Sequence, residues 1–369
     1  MRPRFLKRID TYIISKFLGT YFFAIVLIIS VAVVFDYNDK IDKLTQNGAT
    51  WHEIIFDYYL NFVPYYANLF SALFVFIAVI YFTSKLAGNS EIIAMLSAGI
   101  SLRRLMRPYL LSAAVISLLT FYLSSEVIPK GSVARLAFEN QYIKRGSKKN
   151  QTYADNVQMQ VDTGVIAFIG HFDGPTKTGY NFQLDKFERK KLVSHLTASS
   201  ITYDTLANER FHWKISNANI RDMHGVRERI THYPSLDSLI VMEPSDFLAT
   251  RNFQETMTNR QLLEYIERAR LRGTGNLIPF QVEYYKRYAS CFAAFIMTVI
   301  GVSLSSRKRK GGMGFSLGVG LFLSVAYIFF QAVTAGFATN ANFPPMLAVW
   351  LPNIVFSLIA YILYKQAPR

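Results

Sequence analysis

Gly314, Ser316 and Gly318 stand in the order G-x-S-x-G, the spacing that presents a nucleophilic serine on a sharp strand-to-helix turn. Here the five residues GFSLG lie inside an apolar run of membrane-helix length, which lacks that turn. The two glycines, four apart, are read instead as places where helices approach closely. Five of the six histidines, His171, His195, His212, His224 and His232, fall in one polar stretch. No pair has the i, i+4 helical spacing or the tight clustering of a zinc site, and they are read as ordinary strand or surface residues. The single cysteine, Cys291, leaves no intramolecular disulfide and no cysteine-based zinc site. No G-x-x-x-x-G-K-[ST] loop occurs, so ATP binding through such a loop is not expected. These residues form no catalytic constellation, and no metal or cofactor is implied.

Charged side chains near the ends of apolar runs suggest binding rather than catalysis. Lys40 and Lys43 follow the first apolar run; Glu283, Lys286 and Arg287 precede the fourth, with Glu283 and Arg287 four residues apart. Two readings stay open. These groups are ordinary interfacial snorkels, or they are a rim of cations that meets the phosphates of a lipid head group.

The elements that carry these residues follow from hydropathy. Apolar residues make up 51% of the 369 and aromatics 15%, which points to membrane spans rather than a soluble protein. Six segments suffice to cross a hydrocarbon layer of ~30 Å: Ile13–Phe35, Leu60–Phe82, Pro108–Ile128, Ala289–Ser305, Met313–Ala338 and Met346–Tyr364. The fourth is short and is expected to borrow from Gln281–Tyr288. Pro64 and Pro352 lie inside spans, which neighbouring helices make tolerable. The basic N-terminus MRPRFLKRID precedes a run too long for a signal-peptide core, so a retained first span is expected. Arg2, Arg4, Lys7, Arg8, Lys85, Arg103, Arg104, Arg107, Arg307, Lys308, Arg309, Lys310 and Lys365 all fall on one side of such a layout. This places both termini in the cytoplasm. The same asymmetry accounts for much of the net charge of +15 without nucleic acid as a partner.

Between the third and fourth spans, residues 129–256 are polar and strand-like. VIAFIGHF, GYNFQLDKFE, LVSHLTASSITYD and RFHWKISNANIRDM alternate apolar and polar residues, with turn signals at Asp173-Gly174-Pro175 and His224-Gly225. An antiparallel β domain is expected there, then a helix over TNRQLLEYIERARLRG stopped by Gly273. The division is 1–128 for the first three spans, 129–256 for the β domain, and 257–369 for the connecting helix and last three spans.

One stretch between the second and third spans, SKLAGNSEIIAMLSAGISLRRLMRP, is too charged to cross a bilayer. Asn89 or Ser90 can cap a helix with Glu91 in its first turn. Ile92, Ile93 and Leu96 make an apolar face, and Gly99 ends it. Ser101 can cap a second short helix with Leu102 and Leu105. The segment, about residues 88–106, is either a surface connector or a helix that docks in the groove of a soluble motor; its residues alone leave both open.

The same stretch resembles the cytoplasmic loop of the LptF/LptG (YjgP/YjgQ) permeases, whose pattern is roughly L-A-x-x-S/D-E-[ILV]-x-A-M-x-[AS]-x-G-[IVF]-S. Gln261–Gly273, VEYYKRYASCFAAFIMTVIGVSLSSRKRKG at Val282–Gly311 and FPPMLAVWLPNIVF at Phe343–Phe356 resemble further blocks of that family, in the same order. The resemblance implies a six-span permease with a periplasmic jelly-roll-like β domain in the inner membrane of a Gram-negative cell. It implies extraction of lipopolysaccharide by a pair of related permease subunits over an LptB-like ATPase dimer, with transfer to LptC- and LptA-like bridge proteins. It places Glu91, Ile92, Ile93, Met95 and Leu96 at the ATPase, with the first and fifth spans as lateral gates. It also puts Lys40, Lys43 and Arg287 near family positions facing the lipid, and Asp36 where some members carry a Lys. The chain itself is then no enzyme. A permease for another lipid or lipoprotein, and a membrane-anchored outer-side enzyme or sensor, are the competing readings.

Overall fold

In the computed structural model, described for residues 7–143, 153–189, 191–204, 211–224, 227–244, 253–272, 277–306, 312–340 and 343–367, the chain divides into two units. The first comprises Met1–Arg145, Glu255–Asn259 and Ile278–Arg369; the second comprises Gly146–Gln254 and Arg260–Leu277. Six helices of the first unit are long and apolar enough to cross a membrane.

Helix α1 (Arg8–Gln46) runs for 39 residues. At 1.5 Å per residue that is ~58 Å, well beyond the ~30 Å needed, so Lys40 and Lys43 ride on a helical extension of the first span. Ile13, Phe17, Tyr21 and Ala24 form its buried stripe, while Phe23, Val26, Leu27, Val31, Val34 and Phe35 are exposed. A helix apolar all round is at home only where its open face meets lipid or another protein.

A short helix α2 (Trp51–Glu53) is capped by Thr50, whose side chain accepts from the Glu53 N–H while Glu53 reaches back to the Thr50 N–H. Hydrogen bonds from Thr50 hold the Glu53 carboxyl below the usual carboxylate range. A π-helical stretch, Ile54–Tyr59, leads into α3 (Leu60–Leu69). The second span is not continuous. It breaks at Phe70 (φ −97°, ψ 12°) and resumes as α4 (Ser71–Gly88). After α5 (Glu91–Ser97) comes α6 (Leu102–Tyr122), a π-helical turn, and α7 (Ile128–Phe138). The expected second short helix at Ser101 is therefore the first turns of the third span, which runs through Pro108 and continues as one long helical stretch to Ile143. The fourth span, α9 (Ile278–Ser305), takes in Gln281–Tyr288 as expected. The last two are α10 (Gly312–Asn340) and α11 (Pro345–Gln366).

α10 is unbroken across GFSLG and Ser316 is buried, so no nucleophile turn exists there. The close approach of helices expected at Gly314 and Gly318 falls elsewhere, since both face open space. It falls at Gly301, where a Cβ would stand 2.7 Å from Val79 Cγ1, and at Gly320, where one would meet Ile80 Cδ1 at 2.1 Å. The glycine that matters is chosen by which face of α10 meets α4, and spacing alone does not reveal that.

In the second unit, β1 (Tyr153–Asp162), β2 (Val165–Asp173), β3 (Thr178–Glu188), β4 (Lys191–Tyr203), β5 (His212–His224) and β6 (Arg227–Leu239) form one antiparallel sheet in sequential order. The inserted β domain is thus, in its described strands, a meander. One face is apolar, with Phe172, Phe182 and Trp213 at its centre, and the Trp213 indole N–H donates to the Met242 carbonyl at 3.0 Å. α8 (Asn259–Arg272) follows it in sequence. His171 and His195 are cross-strand neighbours of Asp155 and Asp185, with ring nitrogens at 2.6 and 2.5 Å from the carboxylates. Among the described residues no three His, Cys, Asp or Glu side chains gather as metal ligands.

A row of unpaired positions crosses the whole sheet: Asn156, Gly170, Asn181, Ser199, Asn217 and Pro234, one per strand, while pairing continues in the same register on either side. Asn156, Asn181 and Asn217 are left-handed, with φ of 52°, 54° and 52°. Along each strand the buried positions step by two, but across the row they step by three: Ile169 to Phe172, Gly179 to Phe182, Ala198 to Ile201, Ile215 to Ala218. A one-residue slip in a single strand would turn its apolar face outward. Made on all strands at one row, it keeps both the pairing and the core. Asparagine tolerates the left-handed region best after glycine. Asn217→Val is therefore expected to destabilise the sheet by ~1–2 kcal/mol, and Asn217→Gly by less. Limited proteolysis of the full-length protein checks the order; equal resistance of both variants would refute it.

Candidate functional site: a capped helix between spans and two buried ion clusters

α4 ends at Gly88, and the chain turns sharply at Ser90, which is left-handed at φ 61°. Of the two expected caps, Asn89 or Ser90, Ser90 stands at the N-cap position, but its side chain accepts no bond from the helix. Asn89 Nδ2 instead donates to Glu91 Oε1 at 3.1 Å, fixing the carboxylate in the first turn of α5. Ile92 is fully buried, and Met95 and Leu96 pack partly against the same core, whereas Ile93 is 49% exposed. The five residues expected at a motor interface thus divide. Three fasten the helix to the spans, and Glu91 and Ile93 are left to be met from outside.

The exit from α5 is equally fixed. The Gly99 N–H donates to the Leu96 carbonyl at 3.0 Å and the Ile100 N–H to Met95 at 3.1 Å, with Gly99 at φ +82°, the left-handed stop that glycine makes without a Cβ clash. Ser101 Oγ then accepts the Arg104 N–H at 3.3 Å and caps α6, as its sequence predicts. Three residues on, the Arg104 guanidinium grips Asp10 at the base of α1, Nη1 to Oδ1 at 2.8 Å and Nη2 to Oδ2 at 2.6 Å, with Asp10 only 3% exposed.

The three cations expected to face a lipid have different surroundings. Lys40 is paired with Asp36, one turn back on α1, and donates to the Tyr58 hydroxyl, while its ammonium lies 4.9 Å from the Tyr58 ring centre. Tyr58 and Tyr59 both donate to the second Asp36 oxygen, at 3.1 and 3.3 Å. Asp36, standing where the family pattern sometimes has a cation, instead balances one. Lys43, in the last turn of α1, is exposed. Arg287 is 3% exposed and committed elsewhere: its Nε donates to Glu283 at 3.0 Å and its Nη1 to Asn259 Oδ1 at 2.8 Å.

Arg287 belongs to a second cluster, which sequence reasoning missed apart from the Glu283 spacing. Asn259 also donates to Ser125 Oγ at 2.9 Å. Arg135, 4% exposed, donates to Glu255 at 3.2 Å and to Glu139 at 3.4 Å, and lies 4.0 Å above the Tyr65 ring. A cavity of about 70 Å³ opens beside them, lined among others by Asn68, Glu255, Glu283 and Lys286. Burial, then the neighbouring Glu283, raise the Glu255 carboxyl above its ordinary range, against the opposing pull of Lys286 and Arg135.

A family model, the lipopolysaccharide export system permease LptF/LptG, matches residues 11–366. The chain belongs to the LptF/LptG permease family. A search of curated proteins gave no match. The match spans six membrane-length helices and the inserted antiparallel sheet, so this LptF/LptG chain is a multi-pass inner-membrane permease of lipopolysaccharide export.

Proposed function

We propose that this LptF/LptG chain is one of two related permease subunits in an ATP-driven complex that lifts lipopolysaccharide from the inner membrane and passes it to a periplasmic bridge. The observation that carries this reading is α5: a helix stopped by Gly99, fastened by Ile92 and offering Glu91 and Ile93 outward between two spans. A surface connector needs no such fixation; a lever that takes force from a soluble ATPase does. The partners are then an LptB-like ATPase dimer, a second permease of the same family, and LptC- and LptA-like proteins that continue the route. The basic residues flanking α5 and the N-terminus support cytoplasmic termini and a periplasmic sheet.

The route itself follows from solubility. Each acyl CH₂ left in water costs ~0.8 kcal/mol, so the lipid needs apolar walls throughout. The exposed apolar face of α1, with Phe23, Val26, Leu27, Val31, Val34 and Phe35, supplies such a wall. At head-group depth Lys43 is the cation to meet phosphate, while Lys40 and Arg287 shape the site through Asp36, Tyr58 and Glu283. Photo-crosslinking in the membrane tests this. A probe at Lys43 is expected to capture lipopolysaccharide, and one at Lys40 far less. Purification in mild detergent should retain an ATPase and a second six-span subunit, with lipopolysaccharide the bound lipid by mass spectrometry. A different lipid would favour another extractor, and the absence of any ATPase would sink the reading.

A further inference from the structure

We propose that the Asp10–Arg104 pair is the joint through which movement of α5 reaches the first span. The inference rests on α5 being the docking helix. Three observations carry it. The turn from α5 into α6 is fixed by Gly99 and by the Ser101 cap, so α5 and the first turn of α6 move together. The Arg104 fork in that turn holds both oxygens of a buried carboxylate, a bidentate contact that sets angle as well as distance. And among the described residues it is the ion pair that ties α1 to another helix; the Lys40 pair lies within α1. Phe17, two turns above Asp10, sets its ring 5.9 Å from that of Tyr109, so the base of α1 packs against α6, the helix that carries Arg104. Higher up, α1 is held by a hydroxyl chain, Tyr21 to Ser71 at 2.9 Å and Ser71 to Thr120 at 3.3 Å. Those neutral bonds hold α1 about three turns above the Arg104 contact. Asp10 and Arg104 thus act as positioning residues, through each other and the helices that carry them.

The test uses the complex purified from membranes and reconstituted in vesicles, with rough lipopolysaccharide as the probe. Asp10→Asn is expected to copurify the full complement of ATPase and hydrolyse ATP near the parent rate, yet to deliver about tenfold less lipid per ATP, the size of an ordinary coupling energy. Arg104→Lys, which keeps the charge but loses the fork, should fall between. The exchange Asp10→Arg/Arg104→Asp should restore delivery. Unchanged delivery in Asp10→Asn overturns the proposal. So does an equal fall in hydrolysis and delivery, which marks a structural contact, and so does an exchange that folds but fails to rescue. If Glu91→Lys leaves the ATPase bound, the docking reading itself fails, independently of Asp10.

Discussion

Glu91→Lys is expected to strip the ATPase from the complex while the permease still inserts and folds. Glu91 lies in the first turn of a helix with its carboxylate steadied by Asn89 and, among the described residues, with no ion pair. A charge-assisted contact to a motor is worth ~1.5–3 kcal/mol, and reversal adds repulsion, so affinity should drop by more than tenfold. Ile93→Asp offers an independent arm, because Ile93 is the one large apolar side chain of α5 that points outward. It should release the motor without touching the carboxylate. Ile92→Asp should behave differently. Ile92 is fully buried, so that change loosens α5 itself and lowers the thermal stability of the permease. The measurement is ATPase recovered per permease on pull-down, with melting temperature read alongside. Full recovery with both Glu91→Lys and Ile93→Asp would leave α5 a surface connector.

Much of this was legible in the sequence because it is local. Six apolar runs, the alternation of the strands, the Gly99 stop and the Ser101 cap all depend on residues within a turn or two of each other, and all six spans and the inserted sheet are present. What failed did so for lack of long-range geometry. Gly314 and Gly318 carry the small-residue spacing, but Gly320 meets α4. Lys40 looks like a free cation at a span end until Tyr58, from beyond a turn of chain, closes over it with Asp36. The Asp36–Lys40 spacing of four was a signal for that pair, as the Arg135–Glu139 spacing was for the second cluster. Nothing in sequence joins Asp10 to Arg104 or Arg135 to Glu255, since those pairs are made by the packing of whole helices. The row of asparagines with glycine and proline in mid-strand was visible as composition. Its alignment into one seam required the register.

Arg135→Ala should be the most destabilising single change outside the apolar core. Arg135 is buried, and its loss takes one charge partner from both Glu255 and Glu139; breaking a buried pair costs ~3–5 kcal/mol. The consequence is local, because Glu255 and Asn259 belong to the short segment by which the chain re-enters the membrane unit, where Arg135 and Arg287 hold it. The pH dependence gives the mechanism away. Glu255 already has a raised folded-state pKa, so its protonated form favours the fold: its contribution is present below the ordinary carboxyl range and is lost as pH rises through the raised value. Without the guanidinium that raised value climbs further. The deficit of Arg135→Ala relative to the parent should therefore be largest near neutral pH and shrink as the solution is acidified. Groups facing Glu255 besides Arg135 are Glu283, which adds to the shift, and Lys286 and the Tyr65 hydroxyl, which oppose it. Adding Glu255→Gln to Arg135→Ala removes the orphaned charge and should recover part of the lost melting temperature at neutral pH, with little gain in acid. A double variant no more stable than Arg135→Ala at any pH would mean that the arginine acts through its stacking on Tyr65 and its contact with Glu139, and that the charge on Glu255 is immaterial.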